Sequence, residues 1–259
     1  MTQPGRPAAV CFDYGNTLVR FTAPEAALMA AGERLAAEGA LPLGSWKDSP
    51  GELAIALSSL LGELVDEAHR ASPLREVDLP SVEREALGRL LGAAPSRQLA
   101  ERLGAAVQRA WGEGVVPVEP ARRVLASLSE GGVRLGLLSN APYPAYLMNE
   151  QLERLGLRRF FEVTLFSSEV GWRKPSARAF AELLRRLGLP GSAVWFVGDE
   201  WEADIEGARA AGMRAILAPG AAAGEMGADQ LRSWDELLPP PAERRRGPRG
   251  RFVNLGGCE

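Results

Sequence analysis

The sequence has little cysteine and no long hydrophobic run. Its two cysteines, Cys11 and Cys258, lie near opposite ends of the 259 residues, which excludes a disulfide framework and leaves Cys11 as an expected buried thiol. No apolar stretch approaches the ~20 residues that a membrane helix needs. The first residues also lack the charged and apolar pattern of a secretion signal. We therefore expect a cytoplasmic protein with no membrane partner.

Lysine is scarce as well, because only Lys47 and Lys174 are lysines among the 30 basic residues. A lysine kept against such an arginine bias indicates a position that needs a compact ammonium group. The net charge of −3 combines about +3 from residues 242–259 with −6 from the rest. An acidic body argues against a nucleic-acid partner. The Arg-rich tail, residues 239–259, is predicted to be disordered, and its alternative role is weak binding of polyanions.

A block of predicted helices follows the first strand. The composition, 46% hydrophobic and 24% charged, is typical of a soluble globular protein. Between residues 22 and 113, four segments have helical spacing of apolar residues and no segment has a convincing strand pattern. The first helix is predicted to open with a capping box at Thr22 and Glu25. We expect an all-helical cap domain over residues 21–116.

The pattern changes at Pro117 to alternating helices and short apolar strands. Four strands are predicted in this part, over residues 134–139, 162–166, 193–197 and 215–217. The helices predicted beside them cover residues 119–130, 143–155, 176–187 and 202–211. Alternation of this kind predicts an α/β fold with a doubly wound parallel sheet. The first strand, residues 8–12, joins this sheet, so the core domain comprises residues 7–20 and 117–238.

Polar side chains stand at the ends of these strands. They are Asp13 after the first strand, Ser139 and Asn140 after the second, Lys174 in the loop after the third, and Asp199 and Asp204 after the fourth. The carboxyl ends of parallel strands meet at one edge of a sheet, so we expect these groups to converge. Carboxylates are hard ligands for Mg²⁺, whereas an ammonium and a hydroxyl hold an anion. The pattern predicts a site for Mg²⁺ and a phosphate group.

Four ordered segments carry a resemblance to a known family. They are FDYGNTL around Asp13, LGLLSNA around Ser139, SSEVGWRKPSARAF around Lys174, and VWFVGDEWEADIEGA around Asp199. These segments resemble motifs I to IV of the haloacid dehalogenase-like (HAD) superfamily of hydrolases, over residues 7–238. The helical block between motifs I and II resembles the cap of subfamily I. The resemblance implies a Rossmann-like core and an enzyme that hydrolyses a small phosphorylated metabolite.

The resemblance also implies roles for single residues. Asp13 would be the nucleophile that forms an aspartyl-phosphate. Mg²⁺ would be bound by Asp13, the backbone carbonyl of Gly15 and Asp199. Asp204 would support the metal through water or hold Lys174.

The anion-binding roles follow in the same way. Ser139 and the backbone amide of Asn140 would bind phosphate oxygens, Lys174 would neutralise developing charge, and Thr17 would brace the nucleophile loop. Trp46 and Lys47, in the loop between the first two predicted cap helices, are candidates for facing the substrate. The alternative for these two is a loop that packs the tryptophan against the cap. His69, the one histidine in the sequence, is expected to be solvated or packed rather than catalytic.

Gly15 departs from the family pattern. Phosphatases of the family carry there an aspartate that protonates the leaving oxygen and activates water, a contribution of ~10² to 10⁴-fold in rate. Gly15 has no side chain, so its backbone carbonyl is the one group that it offers, as a ligand for the metal. Three consequences remain open: a substitute acid from the cap, with Asp48 and Glu52 as candidates, a substrate with a good leaving group, or vestigial turnover.

Alternatives to a phosphomonoesterase remain open for the same reason. Dehalogenases and phosphonate hydrolases of the superfamily also lack this aspartate. The Gly198 and Asp199 pair argues against a metal-independent dehalogenase. Phosphonate cleavage needs a cap lysine for a Schiff base, and Lys47 is the one lysine in the predicted cap. A pseudo-enzyme that binds a phosphorylated ligand without turnover is a hypothesis of another class.

Overall fold

The computed structural model describes residues 6–39, 46, 49–221 and 229–238. The predicted tail, residues 239–259, and the cap candidates Lys47 and Asp48 lie outside the described residues. The strands are β1 (Ala9–Phe12), β2 (Val19–Phe21), β3 (Val115–Pro117), β4 (Arg134–Ser139), β5 (Val163–Phe166), β6 (Val194–Gly198), β7 (Arg214–Leu217) and β8 (Asp229–Gln230). The helices are α1 (Glu25–Ala37), α2 (Pro50–Ala71), α3 (Leu79–Leu91), α4 (Arg97–Glu113), α5 (Glu119–Glu130), α6 (Ala145–Arg154), α7 (Ser167–Val170), α8 (Ala177–Leu187) and α9 (Gly207–Ala210).

Six strands form one parallel sheet in the order β5-β4-β1-β6-β7-β8. The chain winds from β1 outward through β4 to β5, and then returns to the other side of β1 through β6. Phe12 is in register with Leu137 of β4 and with Val197 of β6. The strand order thus reverses beside β1, which is where open α/β sheets bind ligands at their carboxyl edge. The predicted α/β class and doubly wound parallel sheet are confirmed.

The apolar character of β1 follows from its position in the middle of the sheet. All four of its residues are buried. Val10 and Phe12 pack into the core on one face of the sheet, whereas Cys11 packs into the core on the other face. Because helices cover both faces of a parallel sheet, a central strand has no polar side. The Cys11 thiol is buried as expected, and burial raises its pKa to about 12.

Helices α1 to α4 pack around an apolar cluster of their own, separate from the two clusters on the sheet. Leu57 of α2, Leu87 of α3 and Leu103 of α4 are among its buried members. None of the described helices has the length and apolarity to span a membrane.

A short antiparallel pair joins this helical block to the sheet. Strands β2 and β3 pair with Val19 opposite Pro117 and Phe21 opposite Val115. The predicted capping box is wrong, because Thr22 continues this pairing: its amide donates to the carbonyl of Gly114 at 2.9 Å. Helix α1 therefore begins only at Glu25, after Pro24 and without a side-chain cap. Sequence analysis did not predict β2 or β3, since each has three residues.

Candidate active site

Asp13 lies one residue beyond β1, at the carboxyl edge of the sheet. Its amide donates to the carbonyl of Val197 at 2.9 Å, which continues the β1–β6 ladder, and its side chain is buried. A tight turn follows, in which the amide of Thr17 donates to the carbonyl of Gly15 at 2.6 Å. Asn16 adopts a left-handed φ of 52° in this turn, a conformation that asparagine tolerates. The turn opens the chain at the point where the sheet ends.

Lys174 bridges two carboxylates at this edge. Its ammonium Nζ donates to Asp13 Oδ1 at 2.5 Å and to Asp204 Oδ1 at 2.6 Å, and all three side chains are buried. Burial by itself would lower the pKa of Lys174, but the two carboxylates outweigh it, so the pKa is raised. The lysine therefore remains charged. An arginine in its place would spread its donors over a planar fork, which is wider than the single nitrogen that bridges the two carboxylates here.

Asn140 fixes the backbone of Lys174. The Lys174 amide donates to Asn140 Oδ1 at 2.7 Å, and Asn140 Nδ2 donates back to the Lys174 carbonyl at 3.1 Å. Both polar atoms of the Asn140 side chain are thus used for positioning the lysine. The neighbouring Ser139 is buried at the end of β4 and lines the same cavity as Asp13.

Three carboxylates come together at the edge of the sheet. One oxygen each from Asp13, Asp199 and Asp204 lie within 4.8 Å of one another. Asp204 has both oxygens engaged, Oδ1 by Lys174 and Oδ2 by the Glu200 amide at 3.0 Å. Asp199 accepts from Thr17 Oγ1 at 2.9 Å through Oδ1. A set of carboxylate oxygens suits a hard cation such as Mg²⁺, and Asp13 and Asp199 have the freer oxygens.

The backbone after β6 is bent so that Asp204 reaches this site. The predicted helix over 202–211 instead begins as a turn of π-helix, Trp201–Glu206, and continues as α9. In that turn the Glu200 carbonyl accepts from the amides of both Asp204, at 2.9 Å, and Ile205, at 3.4 Å. A Cβ on Gly198 would lie 2.3 Å from the Asp204 carboxyl, so this close approach requires glycine.

Burial sets the protonation of the carboxylates. Burial raises the pKa of Asp13 to about 7; the Lys174 ammonium opposes the rise, and the Asp204 carboxylate adds to it. The pKa of Asp199 is also raised, mainly by burial. A bound divalent cation favours the ionised form of each carboxyl and so counteracts these shifts.

A cavity of about 370 Å³ opens over this cluster. The sheet edge supplies Asp13, Ser139 and Lys174, and the helical block and its linker strands supply apolar walls that include Phe21 and Trp111. This volume is at the lower end of the ~300–1,000 Å³ of small-molecule sites.

Trp46 has the packed position that was the alternative to a substrate contact. Its indole Nε1 donates to the carbonyl of Leu90 in α3 at 3.0 Å, and Trp46 is not among the residues that line the cavity. Glu52, a predicted substitute for the acid missing at Gly15, is exposed and does not line the cavity either. His69, as expected, has a packed position, with Nε2 2.8 Å from Glu76 Oε1.

Sequence reasoning missed several residues of the cavity. Tyr14 lines it and donates from its hydroxyl to Gln151 Oε1 at 2.6 Å. Arg173 and Glu200 also line it, each directly beside a predicted site residue. Their only signal in the sequence is this adjacency, and arginine is too common in the chain for it to stand out.

Comparisons with known proteins place the chain in a family. A family model described as haloacid dehalogenase-like hydrolase matches residues 7–212. A glyceraldehyde 3-phosphate phosphatase of Methanopyrus kandleri is 32% identical over 205 residues, which are 79% of this chain and 81% of that relative. A glyceraldehyde 3-phosphate phosphatase of Methanothermobacter thermautotrophicus is 43% identical over 93 residues, 36% of this chain and 40% of that relative. The second match therefore spans less than half the length of its relative.

Among solved structures, a 2-haloacid dehalogenase from Pseudomonas syringae pv. tomato DC3000 superposes with a TM-score of 0.62. The two sequences are 25% identical, and the match covers 88% of this chain and 95% of that one. Three observations point to the same family: the match of the family model, the parallel sheet, and the residues gathered at the carboxyl edge of the sheet. The chain belongs to the haloacid dehalogenase-like hydrolase family.

Proposed function

We propose that this protein is a Mg²⁺-dependent phosphomonoesterase that acts on a small phosphorylated metabolite through an aspartyl-phosphate on Asp13. The observation that carries the proposal is the buried Asp13 carboxylate, held by Lys174 at 2.5 Å at the base of a small cavity. The phosphatase relatives support phosphate esters as the substrate class.

In the first half of the proposed reaction, the free Asp13 oxygen attacks phosphorus and the bond to the leaving oxygen breaks. Lys174 stays between Asp13 and Asp204 and neutralises charge on the phosphoryl group. The Ser139 hydroxyl donates to a phosphoryl oxygen. Asp13, Asp199 and the Gly15 carbonyl would hold Mg²⁺, which would screen the repulsion between the carboxylate and the phosphate.

In the second half, water attacks the phosphorus of the acyl-phosphate, which releases phosphate and restores the Asp13 carboxylate. Both halves need a proton transfer, to the leaving oxygen and then from the water. Gly15 supplies no acid or base for either step. We infer that turnover is slow, and that esters whose alcohols leave easily are the better substrates.

Dehalogenation is the second candidate. A halide leaves carbon without a proton, so the lack of an acid at Gly15 does not hinder that reaction. The similarity to the 2-haloacid dehalogenase favours the same candidate. The carboxylate cluster of Asp13, Asp199 and Asp204 favours the metal-dependent phosphatase, because the one ammonium of Lys174 leaves a net negative charge that a bound metal ion would offset.

A substrate panel separates these functions. Phosphate esters and 2-haloacids are incubated with the wild type and with Asp13→Asn, with Mg²⁺ or with EDTA, and released phosphate and halide are measured. We expect Mg²⁺-dependent phosphate release that Asp13→Asn loses. Asp66→Asn, an exposed aspartate of α2, is the matched control and retains activity. Release of neither ion in an Asp13-dependent way would refute the enzyme and favour a phospholigand-binding pseudo-enzyme.

A further inference from the structure

Arg173 contains a buried donor without a partner. Its Nε is the one buried side-chain nitrogen or oxygen in the described part of the chain that has no hydrogen bond. The recorded hydrogen bond of its guanidinium is from Nη1 to the Pro73 carbonyl at 3.2 Å. A buried donor without an acceptor is costly, and the cost is greater for a charged group. The described part of the chain supplies no acceptor for this nitrogen.

The unpaired Nε belongs to a residue that lines the catalytic cavity. Arg173 borders the same 370 Å³ cavity as Asp13, Ser139 and Lys174. Its backbone is fixed where the helical block meets the sheet, since its amide donates to the Leu74 carbonyl at 2.9 Å. Glu200, which also lines the cavity, forms no ion pair with Arg173 within the residues that the structure describes. The Arg173 charge acts on the Glu200 carboxyl at longer range, where it opposes the rise in pKa that burial causes, but it leaves the Nε donor of the guanidinium unoccupied.

The two cations of the cavity differ in the carboxylate partners that they already have. Asp13 and Asp204 use two of the three donors of the Lys174 ammonium, and in the proposed reaction this lysine serves the transferred phosphoryl group. Arg173 has no carboxylate partner among the described residues. A guanidinium presents a planar fork of donors that matches a carboxylate or a phosphate in two parallel hydrogen bonds. A second anionic group on the substrate supplies such acceptors.

We propose that Arg173 is a specificity-determining residue that binds a second anionic group, a carboxylate or a second phosphate, on the leaving-group side of the substrate. The inference rests on the proposed phosphomonoesterase function and names its substrate class: small phosphate esters that carry a second anionic group, rather than phosphate esters of uncharged alcohols. It also assigns a purpose to the contact between the α2–α3 loop and the segment before Lys174, which sets the position of the guanidinium.

The test compares substrates that differ in a single group. Glycerol 3-phosphate is 3-phosphoglycerate with a hydroxymethyl group in place of the carboxylate, and glycerol 1,3-bisphosphate carries a second phosphate. We expect the wild type to prefer one or both anionic esters by about 10- to 100-fold in kcat/KM over glycerol 3-phosphate. Preference for 3-phosphoglycerate identifies the carboxylate, and preference for the bisphosphate identifies the phosphate.

Variants assign this preference to Arg173. The readout is the ratio of kcat/KM values within one protein, so a general loss of activity cancels. Arg173→Gln is expected to bring the ratio close to 1, and Arg173→Lys to retain part of it. Arg178→Gln is the matched control, because Arg178 stacks on Trp172 at 4.2 Å in the same segment and does not line the cavity. Its ratio stays at the wild-type value.

Calorimetric binding keeps the inference testable without turnover. Asp13→Asn is titrated with the same three esters, with and without Arg173→Gln. Tighter binding of an anionic ester that depends on Arg173 supports the inference even if the wild type hydrolyses none, a result that would refute only the proposed function. Turnover without preference, equal losses on all three esters in Arg173→Gln, or no binding of any ester would overturn the inference.

Discussion

Gly15→Asp restores the acid/base that the family pattern has at this position. The backbone permits it, because Gly15 is not among the residues with a left-handed φ. An added Cβ would lie 3.2 and 3.3 Å from two ring carbons of Phe21, which is slightly too close. Phe21 is 47% exposed, so its ring can move by the few tenths of an ångström that the contact requires. The substitution therefore fits with little strain.

The expected gain follows from the chemistry of the two half-reactions. A positioned general acid/base is worth ~10² to 10⁴-fold, or about 3–5 kcal/mol of activation free energy. The full range assumes ideal placement, so we expect Gly15→Asp to raise kcat by at least ~10-fold. The larger part of the gain should appear in hydrolysis of the acyl-phosphate, since water needs the base.

Rapid-quench kinetics measure both half-reactions. With slow acyl-phosphate hydrolysis, the wild type releases a burst of alcohol equal to the enzyme concentration, and Gly15→Asp shortens or removes the burst while kcat rises. Gly15→Asn has nearly the same size without an acid and controls for the contact with Phe21. Equal kcat in Gly15→Asp and Gly15→Asn, also in a Phe21→Ala background that relieves the contact, would refute the reasoning.

Three further predictions concern buried charge and the metal. Lys174→Met leaves Asp13 and Asp204 buried without a cation, so the free energy of unfolding at pH 8 should fall by about 3–5 kcal/mol; no fall in denaturant titrations would contradict the ion-pair role. Burial raises the pKa of Glu83 from 4.5 to about 8, so ionisation costs stability as pH rises through this range. Relative to Glu83→Gln, the wild type should therefore lose roughly 2–4 kcal/mol between pH 5 and 8 in urea titrations, and a constant difference would be contrary evidence. Saturating Mg²⁺ should raise Tm of the wild type but not of Asp199→Asn, and an equal shift in both would exclude Asp199 as a ligand.

The residues at the sheet edge were predictable because a simple rule governs them. Apolar runs mark the strands, parallel strands share a direction, and the residues after their carboxyl ends therefore meet. This rule predicts that four side chains lie close together, and the structure places them in one cluster: Asp13, Lys174, Asp199 and Asp204. The α/β class followed from the alternation of helices and strands, which depends only on local pattern.

Other features depended on contacts between distant segments. Thr22 fits a capping box locally, but pairing with Gly114 keeps it extended. Trp46 is placed by the carbonyl of Leu90, 44 residues away in the sequence. The π-turn after β6 forms where Asp204 bonds both Lys174 and the Glu200 amide. The local sequence carries no information about these distant partners. Its pattern therefore predicts the more common local structure, such as a capping box or a regular helix.

The sequence by itself determined five strands of the parallel sheet, their direction and the chemical groups at their ends, because hydrophobic periodicity and residue type are local properties. Only the tertiary structure decided how those groups are used. It turned the Asn140 side chain to the Lys174 backbone, engaged both oxygens of Asp204, and left Arg173 Nε unpaired in a residue of the cavity wall. The physical reason is that a hydrogen bond between segments depends on distances of a few ångströms, and packing of the whole chain sets those distances.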